Sequence, residues 1–167
     1  MKVHQAYILL GNNNTGKTTF QKNLIEFLTG QKYERLDCNK TFEFRNANGE
    51  VKGIFVMSRS FQEKTDLYVD IENYFNRFFI EKEYAILSSH LETIDICELI
   101  KQLKKKWYNV NAVFFLNSLE NDRMDNKNIS LLDWDSRIVV QNHTDLSIWQ
   151  DLISHEAKAF SNMLLKQ

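Results

Sequence analysis

Eight residues near the N-terminus, Gly11-Asn12-Asn13-Asn14-Thr15-Gly16-Lys17-Thr18, combine the groups that can hold a polyphosphate. Two glycines let the backbone turn tightly and bring its N–H groups against an anion. Lys17 adds a cationic arm long enough to reach terminal phosphates, and the Thr18 hydroxyl is a hard oxygen donor for a divalent cation such as Mg²⁺. A ligand held in this way would lie against Gly11, Asn13, Asn14, Thr15, Gly16, Lys17, Thr18 and Thr19. The polar Asn13, Asn14 and Thr15 suit an empty, solvated turn equally well, so the flanking elements decide.

Those elements have the order such chemistry needs. Residues 5–10 form a short apolar run that predicts a buried strand ending at Gly11. Over 16–28, Phe20, Leu24, Ile25 and Leu28 fall on one helical face, and Gly30 is placed to end the helix. A strand leading into the glycine loop and a helix leading out of it aim the first-turn N–H groups and the positive dipole end at the loop.

Residues 33–38 read as a weaker strand, and 42–45 with 51–57 as a hairpin about Asn46-Ala47-Asn48-Gly49. Leu67, Tyr68, Ile71, Tyr74, Phe75, Phe78 and Phe79 are spaced as one aromatic helical face that packs in the core. Strands at 84–88, 110–116 and 137–141 alternate with helices at 91–107 and 146–165. The polar segment 117–128 is expected to be less ordered than the glycine loop. Alternation of this kind predicts an α/β fold of three layers, with a mostly parallel sheet of about five to six strands and helices on both faces.

Composition narrows the function. A chain of 167 residues fits a single domain, 1–167, without an appended substrate domain. With 21 Lys plus Arg against 22 Asp plus Glu, the net charge of −1 gives no strong nucleic-acid signal. Lys101, Lys104, Lys105 and Lys106 read as the basic end of a helix. Cys38 and Cys97 fit no metal-ligand or redox spacing. No apolar run approaches the roughly 18 residues of a membrane span, and no signal-peptide layout is present, so a soluble, cytoplasmic protein without a membrane partner is expected. Proline is absent, which leaves 117–128 nothing to stiffen it.

Residues 11–18 resemble the Walker A motif of P-loop nucleoside triphosphatases and kinases, matching G-x-x-x-x-G-K-[ST] at every fixed position. By element order the resemblance covers most of the chain and is greatest to small nucleotide and nucleoside kinases. It implies a P-loop fold that binds a nucleoside triphosphate, ATP favoured over GTP, with Mg²⁺ on Thr18. It further implies γ-phosphoryl transfer to a small acceptor, or hydrolysis.

Such enzymes carry an acid at a neighbouring strand end. The strand 84–88 runs instead into Ser88-Ser89-His90, so Asp37, ending 33–38, becomes the candidate for activating the acceptor, its alternative being a solvated turn residue. His90 is a second strand-end candidate, its alternatives a helix cap or a residue facing water. Arg59, after 51–57, and Arg123, in the lid-like 117–128, are candidate phosphate ligands beside Lys17; the alternative for each is a surface charge. Asn142 follows the last strand, where these kinases approach the base. Asn142-His143-Thr144-Asp145 is also similar to the guanine-reading N-K-x-D of GTPases with His for Lys, while Thr144 or Asp145 could instead cap the last helix.

Against the GTPases, no D-x-x-G follows 51–57, where Met57-Ser58-Arg59-Ser60 stands. ABC-type and recombination ATPases require signature segments for which this length leaves little room. The missing strand-end carboxylate and the single-arginine lid keep a second expectation open, a nucleotide-gated interaction module or degenerate GTPase-like switch with slow or no turnover and a protein partner.

Overall fold

In the computed structural model, which describes residues 4–142 and 148–167, the side chains of β1 (His4–Leu10) alternate between two cores. Ala6, Ile8 and Leu10 face one, and Tyr7 and Leu9 the other. A strand buried on both faces belongs inside a sheet covered on both sides. Around it lie β2 (Lys40–Arg45), β3 (Val51–Val56), β4 (Tyr84–Ser89), β5 (Tyr108–Phe115) and β6 (Ser136–Val140), in the order β2-β3-β4-β1-β5-β6. All pairings are parallel except β2 with β3, the hairpin expected about Gly49, which turns at φ 79°. The α/β class and the mostly parallel six-stranded sheet thus agree with the expectation.

The two cores define the layers. Phe20, Leu24, Ile25 and Leu28 of α1 (Lys17–Thr29) pack with Ile153, Ala157, Phe160 and Leu164 of α7 (Trp149–Leu165) on one face. Tyr74 and Phe75 of α3 (Ile71–Arg77) and Ile96, Leu99, Ile100 and Leu103 of α4 (Thr93–Lys105) cover the other. Helix α1 stops where Gly30 turns to φ 72° and donates its N–H to Glu26 O at 2.8 Å. Helices α1 and α4, which follow the adjacent strands β1 and β4, lie on opposite faces. A crevice therefore opens at the carboxyl ends of β1 and β4, the place where open α/β sheets bind ligands. Leu10 pairs with Ser89 and Val56 with Ile86, so this register brings the segments after β1, β3 and β4 to one edge.

Three local expectations are corrected. Residues 33–38 form no strand; β2 already occupies the outer edge of β3, and of this stretch only Leu36 is fully buried. The aromatic face at 67–79 is not one helix. It is split into α2 (Thr65–Tyr68) and α3 by Val69, which turns to φ 67°, and by Asp70, whose carboxylate accepts Asn73 N–H at 2.7 Å as an N-cap. Its core role holds for Tyr68, Ile71, Tyr74 and Phe75, which are buried, but not for Leu67, which is 54% exposed. The segment 117–128, expected to be the less ordered one, folds into α5 (Leu116–Asn121) and α6 (Arg123–Ser130), with Asn126 Nδ2 donating to Ser118 O and Asp122 O at 2.9 Å each. Among the described residues no helix is long and apolar enough to cross a membrane. Residues 143–145, the expected GTPase-like echo and helix cap, lie outside the described residues.

Candidate functional site

Gly11 leaves β1 with its N–H on Ser89 O at 3.2 Å, and the chain then coils over 12–16. The Thr15 hydroxyl closes the coil on Asn12 O at 3.0 Å, and Asn14 and Gly16 take φ of 63° and 94°. At Gly16 two constraints coincide. Its φ lies in the left-handed region, and a Cβ there would fall inside van der Waals contact with Ile153 Cδ1 and 3.1 Å from Trp149 Cζ2. Two neighbouring strand ends hold the loop: at the end of β4, Gly11 is tied to Ser89 and Asn12 Oδ1 accepts Leu91 N–H at 3.3 Å, and Asn142, after β6, donates to Thr15 O at 2.9 Å.

The loop ends as the N-terminus of α1. Gly16 offers no side chain to cap it, and no acidic residue lies in the first turn. The first amides of the helix therefore lack intrahelical acceptors, and its positive dipole end is uncompensated. Lys17 is buried. Its ammonium donates to Gly11 O, to Asn12 O at 2.8 Å and to Thr15 Oγ1 at 3.3 Å. Burial pulls its pKa down to about 8, against the nearby Glu63 carboxylate, which works to raise it.

A polar cleft of about 250 Å³ faces this loop, lined by Asn13 through Thr19, by Ser58, Arg59, Ser60 and Glu63 after β3, by Ser88 of β4 and by Trp149 of α7. Glu63 sits on a single 3₁₀ turn, Phe61–Glu63. Its two oxygens point to different partners, Oε2 to Arg59 Nη1 at 3.3 Å and Oε1 to His90 Nε2 at 3.4 Å. Ser60 is 1% exposed, and its hydroxyl has no partner among the described residues. Gln21 Nε2 bridges Met57 O at 3.0 Å and Ser88 Oγ at 3.1 Å, tying α1 to the ends of β3 and β4. Gln62 joins Asp95 to the His90 backbone N–H.

Of the residues singled out from sequence, Asn13, Asn14, Thr15, Gly16, Lys17, Thr18, Thr19 and Arg59 share this cleft, and Gly11 opens the loop behind it. Asp37 does not line it. Without the expected strand, Asp37 lies on the surface with its side chain 75% exposed and paired with Lys40 at 3.2 Å. Arg123 starts α6 and lines a separate depression with Phe114, Leu119 and Val139. Asn142 is fully buried, its side-chain Oδ1 accepting Asn117 N–H at 3.0 Å while its side-chain Nδ2 donates to Thr15 O. It supports the loop from behind. Lys104 and Lys105 do occupy the last turn of α4, with Lys104 on Asp133 at 2.7 Å.

Sequence reasoning did not select Glu63, Ser60 or Trp149. The one local signal was the four-residue spacing of Arg59 and Glu63 after an apolar strand. Nothing local announces Trp149, which tertiary packing brings to Gly16. Among the described residues no group of three His, Cys, Asp or Glu side chains could hold a metal ion by itself. Mg²⁺ does not need one, because it keeps several waters and takes ligand phosphate oxygens beside one or two protein groups. The exposed Thr18 on the cleft wall fits that role. Comparison with family models, curated proteins and solved structures finds no match to this chain.

Proposed function

We propose that the chain binds a nucleoside triphosphate with Mg²⁺, ATP favoured over GTP, and transfers its γ-phosphoryl group to water or to the hydroxyl of a small acceptor. The observation that carries this reading is the 11–18 loop at the β1/β4 crevice, with a buried lysine and an uncapped helix start facing a carboxylate and an arginine. The loop and first-turn amides would hold the phosphates. Lys17 would leave its loop carbonyls for the β- and γ-oxygens, and Arg59 would exchange Glu63 for the migrating group. Thr18 would hold Mg²⁺ on the protein side, and the ion would supply positive charge to the bound phosphates.

Glu63 replaces Asp37 as the activating acid. Its carboxylate would take the proton of the attacking hydroxyl as that oxygen bonds to the γ-phosphorus. The bond from γ-phosphorus to the bridging oxygen then breaks, and the nucleoside diphosphate leaves with the electron pair. His90 Nε2 lies 3.4 Å from the other oxygen of that carboxylate, with no hydrogen bond between them. General-base assistance is worth about 10²- to 10⁴-fold, so Glu63→Gln should lower turnover by that order while nucleotide binding persists. Single-turnover transfer from labelled ATP, with water alone and with nucleoside, nucleotide and sugar acceptors, tests this. Binding without turnover in the native chain removes the transfer step.

That outcome belongs to a second reading, a nucleotide-gated interaction module. The feature favouring it is the end of β4, the strand beside β1, where Ser88 and Ser89 stand and no carboxylate does. Under it, nucleotide raises the melting temperature without being consumed.

A further inference from the structure

The cleft has one wall unlike the rest. Eleven of its lining residues are glycine, hydroxyl, amide or cationic residues suited to an anion, the twelfth is the Glu63 carboxylate, and the thirteenth is Trp149. Its indole is half-buried, packed on the core formed by α1 and α7 and also forming part of the cleft surface. The absence of a side chain at Gly16 makes room for it, since Cζ2 lies 3.1 Å from where a Cβ would stand. Trp149 therefore borders the first turn of α1, beside the amides that would carry the phosphates.

Its position relative to Glu63 gives the cleft two ends. The Arg59–Glu63 segment follows β3, whereas Trp149 follows β6, and these strands lie on opposite sides of β1. The reactive end and the aromatic end thus flank the loop. We infer that Trp149 is the stacking platform for the nucleobase, so that the cleft takes an aromatic-base nucleotide, purine over pyrimidine, in preference to inorganic polyphosphate. This rests on the phosphate-binding reading above. Every base has a π face, and the larger purine ring covers more of an indole. Stacking on an aromatic side chain is worth about 5- to 150-fold in affinity per base.

The test is a calorimetric titration of ATP, UTP and inorganic tripolyphosphate, each with Mg²⁺, into the native chain, Trp149→Phe and Trp149→Ala. The native chain should bind ATP more tightly than UTP, and both more tightly than tripolyphosphate. Trp149→Ala should lose about 5- to 150-fold for ATP with tripolyphosphate binding unchanged, and Trp149→Phe should recover most of the loss. Should Trp149→Ala fail to fold, indole emission of the native chain decides: ATP should quench it and tripolyphosphate should not, with the quench removed in Trp149→Phe. An equal loss for ATP and tripolyphosphate makes Trp149 a packing residue and overturns the inference, as does ATP binding no tighter than tripolyphosphate. Binding of neither ligand by the native chain overturns the phosphate reading itself.

Discussion

Replacing Gly16 by alanine probes how the glycine loop is built, and its cost can be worked out in two parts. The first is backbone strain: φ is 94°, and a left-handed residue with a Cβ costs about 1–2 kcal/mol. The second is overpacking, because the new methyl would collide with Ile153 Cδ1 and press on Trp149; such insertions cost about 1–3 kcal/mol. Together they come to about 2–5 kcal/mol, a large share of the roughly 5–15 kcal/mol of a typical domain. Gly30 is the internal control, with φ 72° and nothing within 4 Å of an added Cβ. Gly30→Ala should therefore lose only the strain part, about 1–2 kcal/mol. Urea denaturation measures both, the midpoint moving at unchanged slope.

A second substitution isolates the collision. Ile153→Val deletes the Cδ1 atom in question at a cost of about 0.5–1.5 kcal/mol, so Gly16→Ala with Ile153→Val should lose less than the sum of the two alone. The expected coupling is about 1 kcal/mol. If Gly16→Ala costs no more than Gly30→Ala, or the double variant is additive, α7 does not pack against the loop as described.

Protonation of Lys17 supplies a second expectation: its pKa is held near 8 by burial, so affinity for ATP or tripolyphosphate should be flat below about pH 8 and fall above it as the ammonium is lost, in a calorimetric pH series. The sign for stability is opposite, because between about pH 8 and 10.5 the unfolded chain holds the proton that the folded one releases, so this group's penalty on folding shrinks as pH rises. Asn142→Ala would leave Thr15 O and Asn117 N–H buried and unpaired; at about 1–3 kcal/mol for each, the denaturation midpoint should drop about as far as in Gly16→Ala, and loop amides should exchange faster with deuterium. Asp37→Asn and Arg123→Ala, both outside the cleft, should change turnover less than twofold and stability by no more than about 0.5 kcal/mol in steady-state and melting assays.

Why some of this was legible in the sequence and some was not follows from where the information lies. The β1, loop and α1 unit is local: an apolar run, two glycines and a 20, 24, 25, 28 spacing specify it within 25 residues, and the buried strands β4 and β5 declare themselves as continuous apolar runs. Residues 33–38 carry Tyr33 and Leu36 as a strand would, but whether a strand forms depends on a free sheet edge, and β2 takes the one beside β3. Val69 shows why the helix at 67–79 failed. A β-branched residue gives no local warning of a positive φ; at the break, Tyr68 and Tyr74 both hydrogen-bond to Asn39, at 2.9 and 3.0 Å, while Asp70 caps the helix that follows. Asn142 was legible as a residue at the right strand end but not in its role, because two hydrogen bonds to distant backbone turn it toward Thr15 and Asn117. Glu63 and Trp149 reach the cleft through β3 and α7, and no spacing along the chain encodes that meeting.

The central claim, a phosphate-holding loop built around Lys17, is met most directly by one measurement: thermal melting of the native chain and of Lys17→Ala with Mg²⁺ and excess ATP, GTP, ADP or GDP. A ligand that binds only the folded state at 100 times its dissociation constant stabilises it by about 2.7 kcal/mol, which for a chain of this size is a rise of roughly 5–11 °C. The expected result is a rise of that order for the native chain with at least one nucleotide and none for a folded Lys17→Ala. No rise with any nucleotide, or an equal rise in both chains, would contradict it.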